Sequence, residues 1–265
     1  MVASAVAAGL SLAPPDELRP ETRAAFERYV TLTSARVDAE VAGRQPFLWV
    51  DRLPAAKRAE ALRDLAAGEV VVDKLQTLED GEKVDVDGGM IHHWVGTVLI
   101  PGRSVRDVFD FVQQYDRYPE VFDPMIRRTR VTSQSGGRFA VSMRTETHKV
   151  ITVVMDVDYD IEYRFLSDTR GFSTNTATRI FEVHDVGKPN ERREPGDQAG
   201  GYLWRFQMWC SFDQRPEGTY EQCESVSLTR GIPLGLGWIV GPFVNSIPRE
   251  TLELTLGRIR EGLSS

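Results

Sequence analysis

The chain has 265 residues, of which 41% are hydrophobic, and a formal net charge of -7 at pH 7. It is long enough to bury a sizeable core, and its length fits one domain with an appendage better than two full domains. The charge is spread along the sequence without a basic block, so nucleic acid is not an expected partner, and no apolar run approaches the roughly 18 residues of a transmembrane segment.

The N-terminal stretch MVASAVAAGLSLA is apolar and ends like the cleavage region of a secretory signal. The basic residues that open such signals are missing. Residues 1–14 are therefore interpreted as either a signal-peptide remnant or a disordered N-terminus. Export to the periplasm or the exterior and a cytoplasmic location both stay open.

Two helices are predicted over residues 15–70. In RPETRAAFERYVTLTSARVDAEV, apolar residues recur every three or four positions from Phe26 onward, and Pro20 suits the first turn. An alanine-rich helix follows Pro54 and ends at Gly68, a residue typical of helix C-termini. Because helices this short do not form a core alone, we expect this helical extension, with the apolar segment QPFLWV between its helices, to dock on the rest of the chain.

The segment 104–116 carries a clear amphipathic helix pattern. Ser104 is a favourable N-cap, Asp107 stands at the third helical position, and apolar residues recur on one face. Pro119 disfavours a helical conformation at Tyr118. We therefore expect the helix to end at this Tyr-Pro pair, where the chain turns toward the next strand.

The remainder is rich in strand patterns. About seven strands with short connections favour an antiparallel sheet. The clearest is VITVVMDVDYDIEYRF, in which apolar and polar residues alternate. The predicted strands span about 91–100, 125–133, 138–147, 150–165, 174–186, 201–213 and 219–230.

A final helix is predicted over residues 248–262, with Ser246 and Pro248 at its start. Pro242 and Pro248 are expected to break or kink any helix that precedes it. The apolar stripe that identifies this helix consists of Leu252, Leu256, Ile259 and Leu263.

Cys210 and Cys223 are the only cysteines, and their spacing is not that of a zinc site, so no metal is expected. A hairpin turn at 215–218 would place them opposite each other on neighbouring strands, near the lower limit of separation for a disulfide. Oxidation depends on the compartment, so a disulfide and two thiols both stay open.

The order of these elements is similar to the helix-grip fold of the START-like (SRPBCC) superfamily, which includes polyketide cyclases, coenzyme Q-binding proteins and lipid-transfer domains. The resemblance lies in GRSVRDVFDFVQQYDRYPEVFDPMIRRTRV and in IPRETLELTLGRIREGL. CESVSLTRGIPLGLGWIVGPFVNSIPRETLELTL also resembles a bacterial subgroup to which no activity is carried over. The resemblance implies an α+β fold over residues 88–265, with a curved antiparallel sheet around a long C-terminal helix.

Such folds enclose a cavity between the sheet and the last helix, which implies that a hydrophobic small molecule such as a lipid, quinone or polyketide-like compound is the partner. Transient contact with a membrane is compatible with such a ligand. No phosphate loop, dinucleotide fingerprint or nucleophile elbow occurs, so no cofactor is expected and catalysis is disfavoured. The expected ligand-binding residues are Tyr163, Trp204, Trp238, Arg144, Arg205 and Glu224.

Two other functions stay open. A cyclase or dehydratase would use an arginine and an acid of the cavity to polarise a carbonyl group and move a proton. An interaction module without a ligand would have its cavity filled or covered by the N-terminal helices.

Overall fold

The computed structural model describes residues 17–148, 152–198, 201–231 and 237–264, and for 237–245 it describes the backbone alone. The N-terminal residues 1–14 lie outside this part of the chain. The helices are α1 (Pro20–Val41), α2 (Ala55–Ala67), α3 (Val105–Val112), α4 (Tyr118–Val121) and α5 (Gly237–Ser264). The strands are β1 (Val71–Lys74), β2 (Leu78–Glu79), β3 (Glu82–Lys83), β4 (Gly89–Pro101), β5 (Ile126–Ser135), β6 (Arg138–His148), β7 (Thr152–Ser167), β8 (Arg170–His184), β9 (Arg192–Pro195), β10 (Leu203–Arg215) and β11 (Gly218–Arg230).

One large antiparallel sheet dominates the part of the chain that the structure describes. It contains nine strands in the order β1-β4-β11-β10-β8-β7-β6-β5, with β9 paired to β8, while β2 and β3 form a separate hairpin. The seven predicted strands correspond to β4 to β8, β10 and β11, so the prediction of an antiparallel sheet is confirmed. The additional strands β1 and β9 have four residues each, too few to show a clear alternation.

The N-terminal helices cover one face of the sheet, here called the outer face. Phe26 and Tyr29 of α1 share a buried cluster with Trp204 and Val226 of the sheet. Leu65 of α2 belongs to a second cluster with strand residues and with all four apolar residues of the predicted docking segment. That segment is therefore buried, as expected from its composition.

Helix α5 packs against the opposite, inner face. Its stripe residues Leu252, Leu256, Ile259 and Leu263 are buried in the main core with α3 and with β4, β6 and β10. Gly96 of β4 faces the helix, and a Cβ atom there would lie 2.8 Å from Cδ1 of Leu256 and 3.0 Å from Cδ2 of Leu252. A residue without a side chain thus allows α5 to lie close to the sheet. The antiparallel sheet that grips a C-terminal helix is the predicted α+β helix-grip fold.

Two local predictions differ from the structure. Helix α3 ends at Val112, and Tyr118 is helical because Pro119 occupies the first turn of the separate short helix α4, where a missing N–H costs nothing. At the C-terminus, α5 begins at Gly237 and continues through Pro242 and Pro248. Each proline removes one N–H donor from the helix, but neither ends it.

Candidate ligand cavity

A cavity of about 680 Å³ lies between the inner face of the sheet and α5. Its inner end is formed by Tyr118, Tyr163, Phe212, Glu221 and Ile259. Its outer end is formed by Glu182, His184, Tyr202, Arg230 and Ile247. At the inner end Phe212 and Glu221 are buried and the two tyrosines are half-buried, whereas all five outer-end residues are half-buried, so the inner end is the more enclosed of the two.

Most of the wall is apolar because strand alternation places apolar side chains of β10 on the inner face. Phe206, Met208, Cys210 and Phe212 follow one another at every second position and all line the cavity. Toward the outer end, strand β11 contributes the small polar side chains of Ser225, Ser227 and Thr229 to the wall. Small side chains on β11 leave the space that larger ones would fill.

The disulfide between Cys210 and Cys223 forms part of this wall, with a Cα–Cα distance of 4.1 Å. The two residues are directly paired on β10 and β11, as the hairpin register predicts. The two sulfur atoms and a carboxylate oxygen of Glu221 lie within 4.8 Å of one another. Because both sulfurs are used in the disulfide, only Glu221 of these three offers a free ligand atom, and the group does not hold a metal in this state.

Glu221 is the acidic residue of the inner end, and it is 2% exposed. Burial raises the pKa of Glu221 to about 8 from its ordinary value near 4.5. The carboxyl group is therefore mostly protonated at neutral pH, which makes it a hydrogen-bond donor within an apolar cavity.

A tyrosine cluster lies beside Glu221. The Tyr118 hydroxyl donates to the carbonyl oxygen of Val112 at 2.5 Å, and the hydroxyls of Tyr163 and Tyr115 are 3.0 Å apart. Burial raises the pKa of Tyr118 and Tyr163 well above 10, and the nearby Glu221 carboxyl adds to this effect. These hydroxyls remain neutral over the physiological pH range.

Several buried polar atoms of the cavity wall have no hydrogen-bond partner among the described residues. They include Oε2 of Glu221, Oδ1 of Asn175 and Oγ1 of Thr145. Buried polar atoms in proteins are normally paired, so each of these atoms is available to a ligand or to water. The cavity therefore combines an apolar wall with a few polar atoms, which is typical of small-molecule sites.

Of the six residues expected to bind the ligand, Tyr163 lies in the cavity wall. Arg144 is on the outer face of β6, where it donates two hydrogen bonds to Asp156, at 2.7 and 2.9 Å. Arg205 is also on the outer face and pairs with Asp197 at 3.2 Å. Trp238 falls in the segment whose side chains the structure does not describe.

Glu224 also lies on the outer face, beneath α1. It accepts a hydrogen bond from His93 Nε2 at 2.6 Å and pairs with Arg36 of α1. Burial alone would raise the pKa of Glu224, but the bonds and charges of His93 and Arg36 outweigh it and hold this pKa below its usual range. Tyr29 donates to or accepts from the other ring nitrogen of His93 at 2.8 Å, so this buried network ties α1 to the sheet.

Trp204 lies in the outer cluster with α1 and is 1% exposed. Simple alternation from Phe206 would turn Trp204 toward the cavity. A bulge between Leu203 and Arg205 breaks that alternation and places Trp204 on the other face. The sequence contains no signal for this bulge. Glu221 could have been identified, because it lies two residues before Cys223 on β11 and therefore faces the same side of the sheet.

No family model matches the sequence, and no curated protein matches it. Among solved structures, the chain is similar to the di-domain ARO/CYC BexL from the BE-7585A biosynthetic pathway, with 16% identity, a TM-score of 0.45 and coverage of 66% of this chain and 50% of that one. It thus spans half the length of BexL. The chain is also similar to a STAR-related lipid transfer protein from Xanthomonas axonopodis, with 14% identity, a TM-score of 0.44 and coverage of 73% of this chain and 99% of that one.

A third similar structure is the Zhui aromatase/cyclase from Streptomyces sp. R1128, with 10% identity, a TM-score of 0.41 and coverage of 66% of this chain and 94% of that one. At these identities the likeness concerns the fold alone. In the described part of the chain, no helix has the length and apolar character needed to cross a bilayer.

Proposed function

We propose that the protein binds and carries a hydrophobic small molecule, such as a lipid, quinone or polyketide-like compound, between the sheet and α5. The supporting observation is the apolar cavity of about 680 Å³, which falls within the range of roughly 300–1,000 Å³ common for ligand sites. A void of this size in a close-packed interior leaves its wall without contacts, and an apolar ligand restores them.

The shape of the cavity favours an elongated ligand. Glu221 at the inner end and Arg230 at the outer end lie on the same strand, nine residues apart. At about 3.3 Å per residue, that stretch of β11 is roughly 30 Å long. A ligand that follows the strand is therefore long and narrow, and the small polar side chains of β11 lie along it.

The alternatives have less support. Of the arginines expected in the cavity, Arg144 and Arg205 pair with carboxylates on the outer face of the sheet. Arg230, the arginine of the described cavity wall, and the buried acid Glu221 lie at opposite ends of the cavity, so they do not converge on one carbonyl group. The cavity wall, as far as the structure describes it, includes no residue from 20–67, so the N-terminal helices do not fill the site.

A cavity-filling variant tests the proposal. Ser173 of β8 is buried and faces the cavity, so Ser173→Phe should occupy ligand space. Thr176→Phe adds the same ring on the exposed outer face of that strand and serves as the matched control. The measurements are native mass spectrometry of freshly purified protein and titration with the neutral fluorophore N-phenyl-1-naphthylamine.

Wild-type protein and Thr176→Phe should bind the fluorophore with similar affinity, and Ser173→Phe should bind it at least about tenfold more weakly. Circular dichroism checks that both variants fold. Equal binding by the two variants, or no binding of any apolar probe by wild-type protein, would contradict the proposal.

A further inference from the structure

The inner end of the cavity contains a carboxyl group for which the described residues offer no hydrogen-bond donor or acceptor. Oε2 of Glu221 is buried without a partner. Oε1 lies 3.8 Å from Sγ of Cys223. A disulfide sulfur has no proton to donate, so this contact leaves the second oxygen unsatisfied as well. A buried carboxyl group without a partner is costly, and such groups need an explanation.

Neighbouring hydroxyls do not supply that partner. Tyr118 donates its proton to the Val112 carbonyl oxygen, and Tyr163 and Tyr115 share a hydrogen bond. In the described part of the wall there is no lysine, and its one arginine, Arg230, lies at the outer end. The inner end thus offers no positive charge that would neutralise an ionised carboxylate.

Burial without a compensating cation keeps the Glu221 carboxyl group protonated at pH 7, because its pKa is about 8. The proton of such a group is a hydrogen-bond donor that faces the cavity. The complement of a single buried donor is a neutral acceptor on the ligand, and this acceptor must reach the inner end of the cavity.

Building on the proposed function, we infer that the ligand carries a neutral carbonyl oxygen at one end and that this oxygen accepts a hydrogen bond from the carboxyl group of Glu221. The carbonyl end of the ligand therefore enters the cavity first. A ligand carboxylate is disfavoured because it would bring a second acid to a site without a cation. A ligand ammonium is disfavoured because both it and Glu221 would be charged in apolar surroundings, where desolvation offsets much of the attraction.

Matched probes with one alkyl chain length test this inference. The probes are 2-dodecanone, dodecane, dodecylamine and dodecanoate, each titrated at pH 7 against protein loaded with N-phenyl-1-naphthylamine. Wild-type protein should bind the ketone about tenfold more tightly than the alkane, the factor expected of one buried hydrogen bond. The amine and the carboxylate should bind more weakly than the ketone.

Two substitutions and one control assign the preference to Glu221. Glu221→Leu should bind the ketone and the alkane equally, while Glu221→Gln should keep much of the preference because its amide also donates. Glu60→Gln, at an exposed position of α2 outside the described cavity wall, should behave like wild-type protein.

Wild-type protein also gives a test that needs no variant. Raising the pH from 7 to 9 ionises Glu221 and should remove its preference for the ketone, whereas Glu221→Gln should keep its own preference at both pH values. Among the described residues, the titratable groups that interact with Glu221 are the hydroxyls of Tyr118 and Tyr163, whose pKa values are raised well above 10 by burial and which therefore stay neutral at pH 9.

The outcomes separate this inference from the function on which it rests. If no probe binds to wild-type protein, the proposed function and the inference about the carbonyl group are both contradicted. If the four probes bind equally, if the amine or the carboxylate binds most tightly, or if the ketone preference is unchanged at pH 9, hydrophobic binding stands and the assignment of a carbonyl head is overturned.

Discussion

At the residue scale, Glu221 lowers the stability of the folded protein in a pH-dependent way. Its pKa rises from about 4.5 in an unfolded chain to about 8 in the folded one, so the folded state binds the proton more tightly. Below pH 4.5 both states are protonated and the residue carries no ionisation penalty. Between pH 4.5 and 8 the unfolded state loses its proton first, and stability falls as the pH rises.

Glu221→Gln removes this pH dependence. Relative to wild-type protein, the variant should gain free energy of unfolding as the pH rises from 5 to 9, by an amount on the order of several kcal/mol. Urea denaturation of both proteins under non-reducing conditions at pH 5, 7 and 9 measures the difference. A difference between the two proteins that stays constant over this range would show that Glu221 is not buried as described.

The faces of individual strand residues were predictable only where alternation is unbroken. Cys210 and Cys223 are opposite each other because the hairpin turn fixes their register. Because side chains alternate along a strand, Glu221 lies on the same face as Cys223 and Glu224 lies on the opposite face. Both placements follow from the sequence once the register is known. Trp204 was not assignable in this way, because a bulge depends on the pairing of two strands and not on one strand's pattern.

At the scale of elements, the helices followed from their apolar stripes and capping residues. Ser104 and Asp107 form the complete capping box of α3, and Gly68 ends α2 in a left-handed conformation with φ of 95°. The length of α5 did not follow, because local rules place a break at Pro248 and only tertiary packing decides whether a helix continues. Local signals therefore identify caps and apolar stripes more reliably than the full extent of a helix.

Two leucines of α5 provide a matched test of its register. Leu256 is fully buried against the sheet, whereas Leu254 is 37% exposed. Leu256→Asp should lower the free energy of unfolding by several kcal/mol, because it buries an unpaired charge and removes apolar contacts. Leu254→Asp should cost less than about 1 kcal/mol. Similar melting temperatures for the two variants would contradict the packing of α5 on the inner face.

At the scale of the whole molecule, the sheet separates two buried regions with different contents. The outer face is packed against α1 and α2 and contains the ion-pair network around Glu224. The inner face shares its space between the core beneath α5 and the cavity. Substitutions on the two faces of one strand should therefore have different effects.

Trp204 and Phe206 of β10 test this separation. Trp204→Ala should cost about 3–5 kcal/mol of stability, typical of a packed aromatic residue, and leave the affinity for N-phenyl-1-naphthylamine unchanged. Phe206→Ala should cost less, because its ring already borders the cavity, and should change probe affinity. Chemical denaturation measures the stability and fluorescence titration measures the probe affinity. If Trp204→Ala changed the probe affinity and Phe206→Ala did not, the cavity would not lie on the inner face.

The close approach of α5 to the sheet at Gly96 also limits the width of the cavity. Gly96 is paired with Cys223, so the point where the helix rests on the sheet is also the point where β11 is covalently fastened to β10. A methyl group at this position would meet two leucine side chains of α5 and push the helix outward. The absence of a side chain at Gly96 therefore fixes the distance between α5 and the sheet, and the width of the cavity depends on that distance.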